Sequence, residues 1–422
     1  MAGLARACGR ARRGARLNHA VGANPSVRRL EAALAERTAA NRAFFETEAE
    51  RLARLCHRMA ERFARGGRLV AFGRSPAARS DVRHVAVEFV HPVIVGKRAL
   101  PAIGLAGEGG PLGHQVDLVA RPDDIAIAFG AGDDGGEAAA AIATARERGC
   151  LTVAFAPAGA EWELEPAVRD PSIGQELVET LYHVLWELVH VFFEHRGLLE
   201  GRAERRVHDT GASSFLYPFL AEGEHDLEAV LDDVRRSALL KSAEVGELRA
   251  QTLTDNRDEL LGAAAGLRHD LDGGGQVLAL GNGGSATDAM DAVADFRIPP
   301  DPAWPARPAI DLTEDPAILT AIANDIGTEA IFARQVIAYG SAGDCLLALS
   351  TSGNSGNVIA ALAEARRREL RTIALVGYDG GRVAADGLAD HVIVTRSEHI
   401  PRIQEAQASA YHALRELLEL AS

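Results

Sequence analysis

Short apolar runs alternate with longer amphipathic stretches along this chain, and the whole alternation occurs twice in the same order. A helical stretch leads each time to a glycine-led apolar strand, GGRLVAFG and then GGGQVLALG. A turn and a helix follow, then a strand entered at Pro101-Ala102-Ile103 or Pro308-Ala309-Ile310. A further apolar strand, 125–129 or 345–349, precedes a Gly-rich loop and an Ala-rich helix, and another strand comes at 151–156 or 372–376. Both passes close on a helix carrying Gln and, eight residues on, the His of a Tyr-His pair: Gln175 with Tyr182-His183, and Gln404 with Tyr411-His412. Strands alternating with helices predict an α/β fold of two tandem domains, each a doubly wound parallel sheet flanked by helices. The domains are expected over 27–200 and 224–422, related by an approximate two-fold axis, with 201–223 as linker. Residues 1–26, Arg-rich and without acids, read as a disordered tail in preference to a transit peptide.

Composition narrows the function classes. With 47% hydrophobic residues the chain suits globular α/β structure, and its net charge of −14 disfavours nucleic acid or an anionic membrane as partner. Phosphate sites remain open to it, because they are local and built largely from backbone N–H groups. Cys8, Cys56, Cys150 and Cys345 occur singly, which fits a reducing cytoplasm and no ribbon-type zinc site. Only Lys97 and Lys241 could offer an amine, so Schiff-base chemistry has little to work with. No uncharged apolar stretch reaches the roughly 18 residues of a membrane span.

Two loops of the second half carry phosphate chemistry. Gly281-Asn282-Gly283-Gly284-Ser285 stands between a strand and a helix, where glycines let several N–H groups face an anion; a plain tight turn is the alternative. Ser350-Thr351-Ser352-Gly353-Asn354-Ser355 opens the next such helix with more hydroxyls than a single N-cap needs. Together with the Asn324-Asp325 segment and the RIQE…YH helix, these motifs resemble the phosphoheptose isomerases, of the sugar isomerase (SIS) domain type, over about 240–422. Residues 30–200 resemble the same fold more distantly.

The resemblance implies ketose–aldose isomerisation of sedoheptulose 7-phosphate to a heptose 7-phosphate through an enediolate. Asn282, Gly283, Gly284, Ser285, Asp325, Ser350, Thr351, Ser352, Ser355 and Gln404 would bind the substrate. It also implies a metal of the zinc kind, held by a His and Glu spaced i, i+4 and a Gln and His spaced i, i+8. The second half reads Asp291 and Asp295 at the first pair, with Gln404 and His412 retained. In the first half His84, Glu88, Gln175 and His183 complete the set. There the phosphate loops read Gly73-Arg74-Ser75-Pro76 and 130–135, the latter with Asp133 and Asp134, which repel a phosphate.

Such complementary losses predict one composite site, with Glu88 as base, His183 as acid and a zinc ion near His84 and Gln175. The competing arrangement uses Asp295 as base and His412 as acid, with Asp291, Asp295, Gln404 and His412 around the metal. A homodimer would give a pseudo-tetramer of SIS domains. A non-catalytic SIS protein that binds a phosphosugar or a partner and regulates or scaffolds is the alternative function.

Overall fold

Four fully buried apolar residues, Leu69–Phe72, form strand β1, and Val277–Leu280 form its counterpart β6 in the second half. The computed structural model describes residues 25–93, 97–106, 109–130, 136–194, 198–199 and 226–420. The expected tail up to residue 24, the linker 201–223 and the loop with Asp133 and Asp134 lie outside the described residues.

Around β1 the first sheet adds β2 (Ala102–Leu105), β3 (Ile125–Ala128), β4 (Leu151–Ala154) and β5 (Trp162–Glu163), in the parallel order β2-β1-β3-β4-β5. Its helices are α1 (Pro25–Ala64), α2 (Pro76–Val90), α3 (Leu112–Val119), α4 (Glu137–Glu147) and α5 (Pro171–Glu194). The second half opens with α6 (Leu227–Asp255) and α7 (Arg257–Asp272), then β6, α8 (Gly284–Arg297) and β7 (Ala309–Asp311). It continues through α9 (Pro316–Asp325), α10 (Ala333–Tyr339), β8 (Cys345–Ser350), α11 (Gly356–Arg367), β9 (Arg371–Gly377), α12 (Gly381–Ala385), β10 (His391–Thr395) and α13 (Ile400–Leu420). Its parallel sheet runs β7-β6-β8-β9-β10, the same topology as the first. Two doubly wound α/β units are therefore present, as the repeat predicts. The edge strands β5 and β10 are additions to that expectation.

The repeat extends to small knots. Asp124 accepts the N–H groups of Arg68 at 2.8 Å and Arg121 at 2.9 Å, while Asp344 accepts those of Gln276 at 3.0 Å and Ser341 at 2.9 Å. Each carboxylate ties the start of one strand to the turn before its neighbour, so both sheets are assembled by the same device.

Between the sheets, helices meet their counterparts: α2 packs on α8, α5 on α13 and α1 on α6. The contacts are reciprocal, as in the interface of a two-fold dimer. Ser80 and Gln175 of the first half reach Asp291 of the second, and Gln404 of the second reaches His84 of the first. Because α13 is buried on every face from Pro401 to Leu418, its polar residues must find partners inside the protein. The Arg249 guanidinium sits between the halves, donating to the carbonyls of Glu176 at 2.9 Å and Glu405 at 3.3 Å.

Candidate active site

In each sheet the strand order reverses between the first and third strands, the place where open α/β sheets bind ligands at their carboxyl ends. In the second sheet the loops following β6 and β8 meet there. Asn282 and Asn357 exchange amide hydrogen bonds at 3.0 and 2.9 Å, which clips the Gly281–Ser285 turn to the first turn of α11. Ser355 occupies the N-cap position of α11, yet its hydroxyl makes no capping bond. Ser350 accepts the Gly353 N–H at 3.1 Å and Ser352 that of Asn354 at 3.2 Å, so both hydroxyls keep their protons to donate. Gly353 has φ +61°, and a Cβ there would lie 2.2 Å from the Gly380 carbonyl oxygen, so only glycine fits. Ser285 is buried at the start of α8, Thr351 is half-buried, and Asp325 is exposed at the end of α9, accepting from Asn324 at 2.8 Å.

Among the described residues at the equivalent place in the first sheet, the charges are already paired within the protein. Arg74 pairs with Glu137 at 2.8 Å and donates to the Gly110 carbonyl at 2.6 Å. Glu137 stands in the first turn of α4, placing a carboxylate of the protein's own at that helix end, and it also accepts the Leu112 N–H at 3.3 Å. Ser75 is an ordinary N-cap, accepting the Ala78 N–H at 3.2 Å.

Beside the Gly281–Ser285 turn lies a buried constellation drawn from both halves. A Cβ on Gly284 would sit 1.9 Å from Gln404 Nε2 and 2.7 Å from His84 Nε2, so the glycine lets these side chains reach the backbone. His84 Nε2 is 3.3 Å from His183 Nε2 and 3.2 Å from Gln404 Nε2. The other nitrogen of each imidazole is occupied: His84 Nδ1 lies 2.9 Å from the Tyr182 hydroxyl, and His183 Nδ1 donates to Glu405 Oε1 at 3.0 Å. Both Nε2 atoms are thereby left to face one spot. Burial, reinforced by the charge of His183, holds His84 well below the usual histidine range, so it is a neutral imidazole.

The donor set fits a divalent ion. Two imidazole nitrogens bound to one tetrahedral zinc at about 2.0–2.1 Å stand about 3.3–3.4 Å apart, and the two Nε2 atoms are separated by 3.3 Å. His84, Glu179 and His183 each offer a ligand atom, all within 4.8 Å of one another. Glu88 Oε2, Glu179 Oε1, Asp288 Oδ2 and Gln404 Oε1, on residues ringing this spot, are buried without a hydrogen-bond partner. Burial raises the carboxyl of Glu88, with Glu187 and Glu405 adding to the rise and His183 opposing it.

A second buried constellation occupies the two-fold-related place, and its electrostatics differ. His412 Nδ1 donates to Glu176 Oε1 at 3.0 Å, and its Nε2 lies 3.3 Å from Asp291 Oδ2 and 3.6 Å from Asp295 Oδ2. Burial opposes protonation here, but the bonds to Asp291 and Glu176 and the charge of Asp295 prevail and raise His412 to about 10. Burial and the charge of Asp291 push Asp295 upward. Glu176, despite a burial that works the other way, is held below the carboxylate range by Arg37 and His412. Asp291 also accepts from the Tyr411 hydroxyl at 2.7 Å. Here the cation is the imidazolium itself.

One expected grouping is corrected. Gln175 does not join His84, Glu88 and His183; its amide donates to Asp291 Oδ1 at 2.7 Å. Crossing of α5 and α13 between the halves exchanges the glutamines, so Gln404 stands beside His84 in its place. Glu179, Asp288, Glu176 and Glu405 were not singled out from the sequence. Glu179 precedes His183 by four residues, the same one-face spacing that marked His84 and Glu88, and that signal was available. His57 and His190 bond carbonyl oxygens of Leu198, Trp186 and Arg98, in keeping with packing roles. Among the described residues no helix is long and apolar enough to cross a membrane.

Comparison with known proteins adds a family context. Residues 242–377 match the SIS domain family. The phosphoheptose isomerase of Pelodictyon phaeoclathratiforme is 42% identical over 195 residues, 46% of this chain and 88% of that protein. That of Chlorobium phaeobacteroides is 42% identical over 196 residues, 46% of this chain and 82% of that protein. Whole-chain fold likeness extends to the C-terminal domain of glucosamine-fructose-6-phosphate aminotransferase from Francisella tularensis, with TM-score 0.54, 8% identity, and 93% and 95% of the two chains covered. It extends also to tagatose-6-phosphate ketose/aldose isomerase from Escherichia coli, with TM-score 0.52, 14% identity, and 93% and 94% covered.

Proposed function

Since the chain belongs to the phosphoheptose isomerase family of SIS-domain proteins, we propose that it is a sugar-phosphate ketose–aldose isomerase whose ketose is sedoheptulose 7-phosphate. Its single active centre is composite: the first half supplies the proton-transfer and metal groups, and the second supplies the phosphate cradle. The observation that carries this reading is the approach of His84 and Gln404 to the backbone of Gly284, which puts the His84–His183 pair against the anion-binding turn.

The isomerisation moves one proton between neighbouring carbons and another between their oxygens. Glu88 suits the carbon step, because burial raises its carboxyl toward the pH at which a base both takes and returns a proton readily. Ser350, Ser352 and Ser355, with the N–H groups opening α11, hold the phosphate and thereby fix which carbons face Glu88. A zinc-like ion, when bound by His84 and His183, supplies charge stabilisation for the enediolate oxygens. His183 fits a ligand better than an acid, since its Nε2 is directed at the same point as that of His84. The competing centre at Asp295 and His412 is disfavoured by its internal ion pairs, which already consume His412.

Incubation of the full chain with sedoheptulose 7-phosphate, following the aldose product, tests the reading. Glu88→Gln is expected to lower turnover by about 10²–10⁴ while sparing binding of the sugar phosphate. Ser352→Ala is expected to weaken binding by roughly tenfold to a hundredfold. Tight binding without any product from the wild type would favour a regulatory SIS protein instead. Full turnover in Glu88→Gln would remove the composite centre.

A further inference from the structure

The family pattern assigns the carboxylate beside the metal to the His-xxx-Glu helix, which here means Glu88. The geometry points to a different carboxylate, and we infer that Glu179 is a ligand of the divalent cation at the His84–His183 pair, leaving Glu88 free of it. This rests on the metal reading given above and refines it.

Three independent features carry the assignment. First, the ligand atoms of His84, Glu179 and His183 all fall within 4.8 Å of one another, and Glu88 is not part of that trio. Second, Glu179 is 4% exposed, and its Oε1 is buried without a hydrogen-bond partner. A buried carboxylate oxygen in that condition is costly unless a cation joins it. Third, Glu179 belongs to the first half only. Counting back from the histidine of each closing helix, the residue matching Glu179 is Ala408, which offers no donor. The carboxylate therefore occurs on the one closing helix whose histidine faces another imidazole, and is missing from the helix whose histidine is surrounded by Glu176, Asp291 and Asp295. On α5, Glu179 and His183 are one turn apart and present their side chains along a single helix face, the usual way a helix offers two ligands to one ion.

The chemical consequence is a division of labour between two carboxylates. With Glu179 on the ion, Glu88 has both oxygens available for the proton it moves. The set becomes two imidazole nitrogens and one carboxylate, the ligand count of a catalytic zinc site that keeps a position for substrate oxygen.

Metal affinity separates the alternatives without recourse to turnover. Full-length protein is stripped with chelator, then titrated with Zn²⁺ against a competing chromophoric chelator, and with Co²⁺ while recording its visible absorption. One equivalent is expected to bind per chain. Glu179→Gln and Glu179→Ala should each weaken zinc binding by at least about tenfold, since even outer-shell changes cost 10–100-fold, and should alter the cobalt spectrum. Glu88→Gln should keep zinc affinity within about threefold of wild type. Thermal melting of each stripped variant beside wild type separates a loss of affinity in a folded protein from a loss of fold, and the near-isosteric Glu179→Gln is expected to stay folded. Wild-type affinity in both Glu179 variants, or the larger loss in Glu88→Gln, overturns the assignment of Glu179 alone. Failure of the wild type to bind zinc or cobalt overturns the metal reading beneath it.

Discussion

His412 provides the sharpest electrostatic test, because its charge is held by the fold. The imidazole is 2% exposed and lies among Glu176, Asp291 and Asp295, which raise it from 6.5 to about 10. A folded-state value above the unfolded one means that the stabilisation is complete below pH 6.5 and is lost as pH rises toward 10. Between pH 7 and 9 the unfolded chain has released this proton and the folded chain keeps it. Stability should fall there by about 1.4 kcal/mol per pH unit from this group, or roughly 3 kcal/mol across the window. His412→Gln removes the titration and leaves the carboxylates without their cation, a loss of about 3–5 kcal/mol near neutral pH. Urea unfolding of both proteins at pH 7, 8 and 9 checks the argument, since titrating groups remote from His412 cancel in the comparison. The gap between wild type and variant should narrow steadily as pH rises. Parallel pH dependences would refute the claim that His412 is a buried imidazolium.

Two further substitutions probe the composite centre. Gly284→Ala should gain about 0.5–1 kcal/mol from helix propensity but lose about 1–3 kcal/mol to overpacking; because the new Cβ would lie 1.9 Å from Gln404 Nε2 and 2.7 Å from His84 Nε2, it should cost up to about 2.5 kcal/mol of stability and weaken zinc binding. Unaltered zinc affinity, measured by chelator competition, would count against Gly284 as the contact between halves. Glu405→Gln should lower zinc affinity by about 10–100-fold through loss of the carboxylate that orients His183; an unchanged affinity would show that this bond positions nothing.

Much of this architecture was legible because it depends on local pattern. The apolar runs at β1, β3, β6 and β8 and the hydroxyl-rich loop after β8 are sequence signals of short range, and each lies where the repeat places it. The glutamine exchange was not legible, because Gln175 and Gln404 hold equivalent positions in equivalent helices and only the crossing of α5 with α13 decides which constellation each enters. The carboxylates that orient the histidines were hidden for the same reason: Glu405 serves His183 of the other half, and Glu176 serves His412. Strand β5, two residues long, is paired by its position next to β4 and has no apolar pattern of its own. Sequence reading thus reached the local pattern of each half and the expectation of a shared site, but not which side chains cross between the halves.

That exchange also explains why similar constellations can diverge in chemistry. Each histidine Nδ1 donates to a glutamate from the opposite half, so both Nε2 atoms are pinned to face inward. What Nε2 meets then decides the outcome. His412 meets Asp291 and Asp295, and their negative charge binds a proton at the imidazole. His183 meets Nε2 of His84, an imidazole that burial holds neutral. At the second place a divalent ion must compete with a proton held to about pH 10. The Asp291 and Asp295 pair, which in isolation looks like a ligand set, therefore works as the counter-charge of His412.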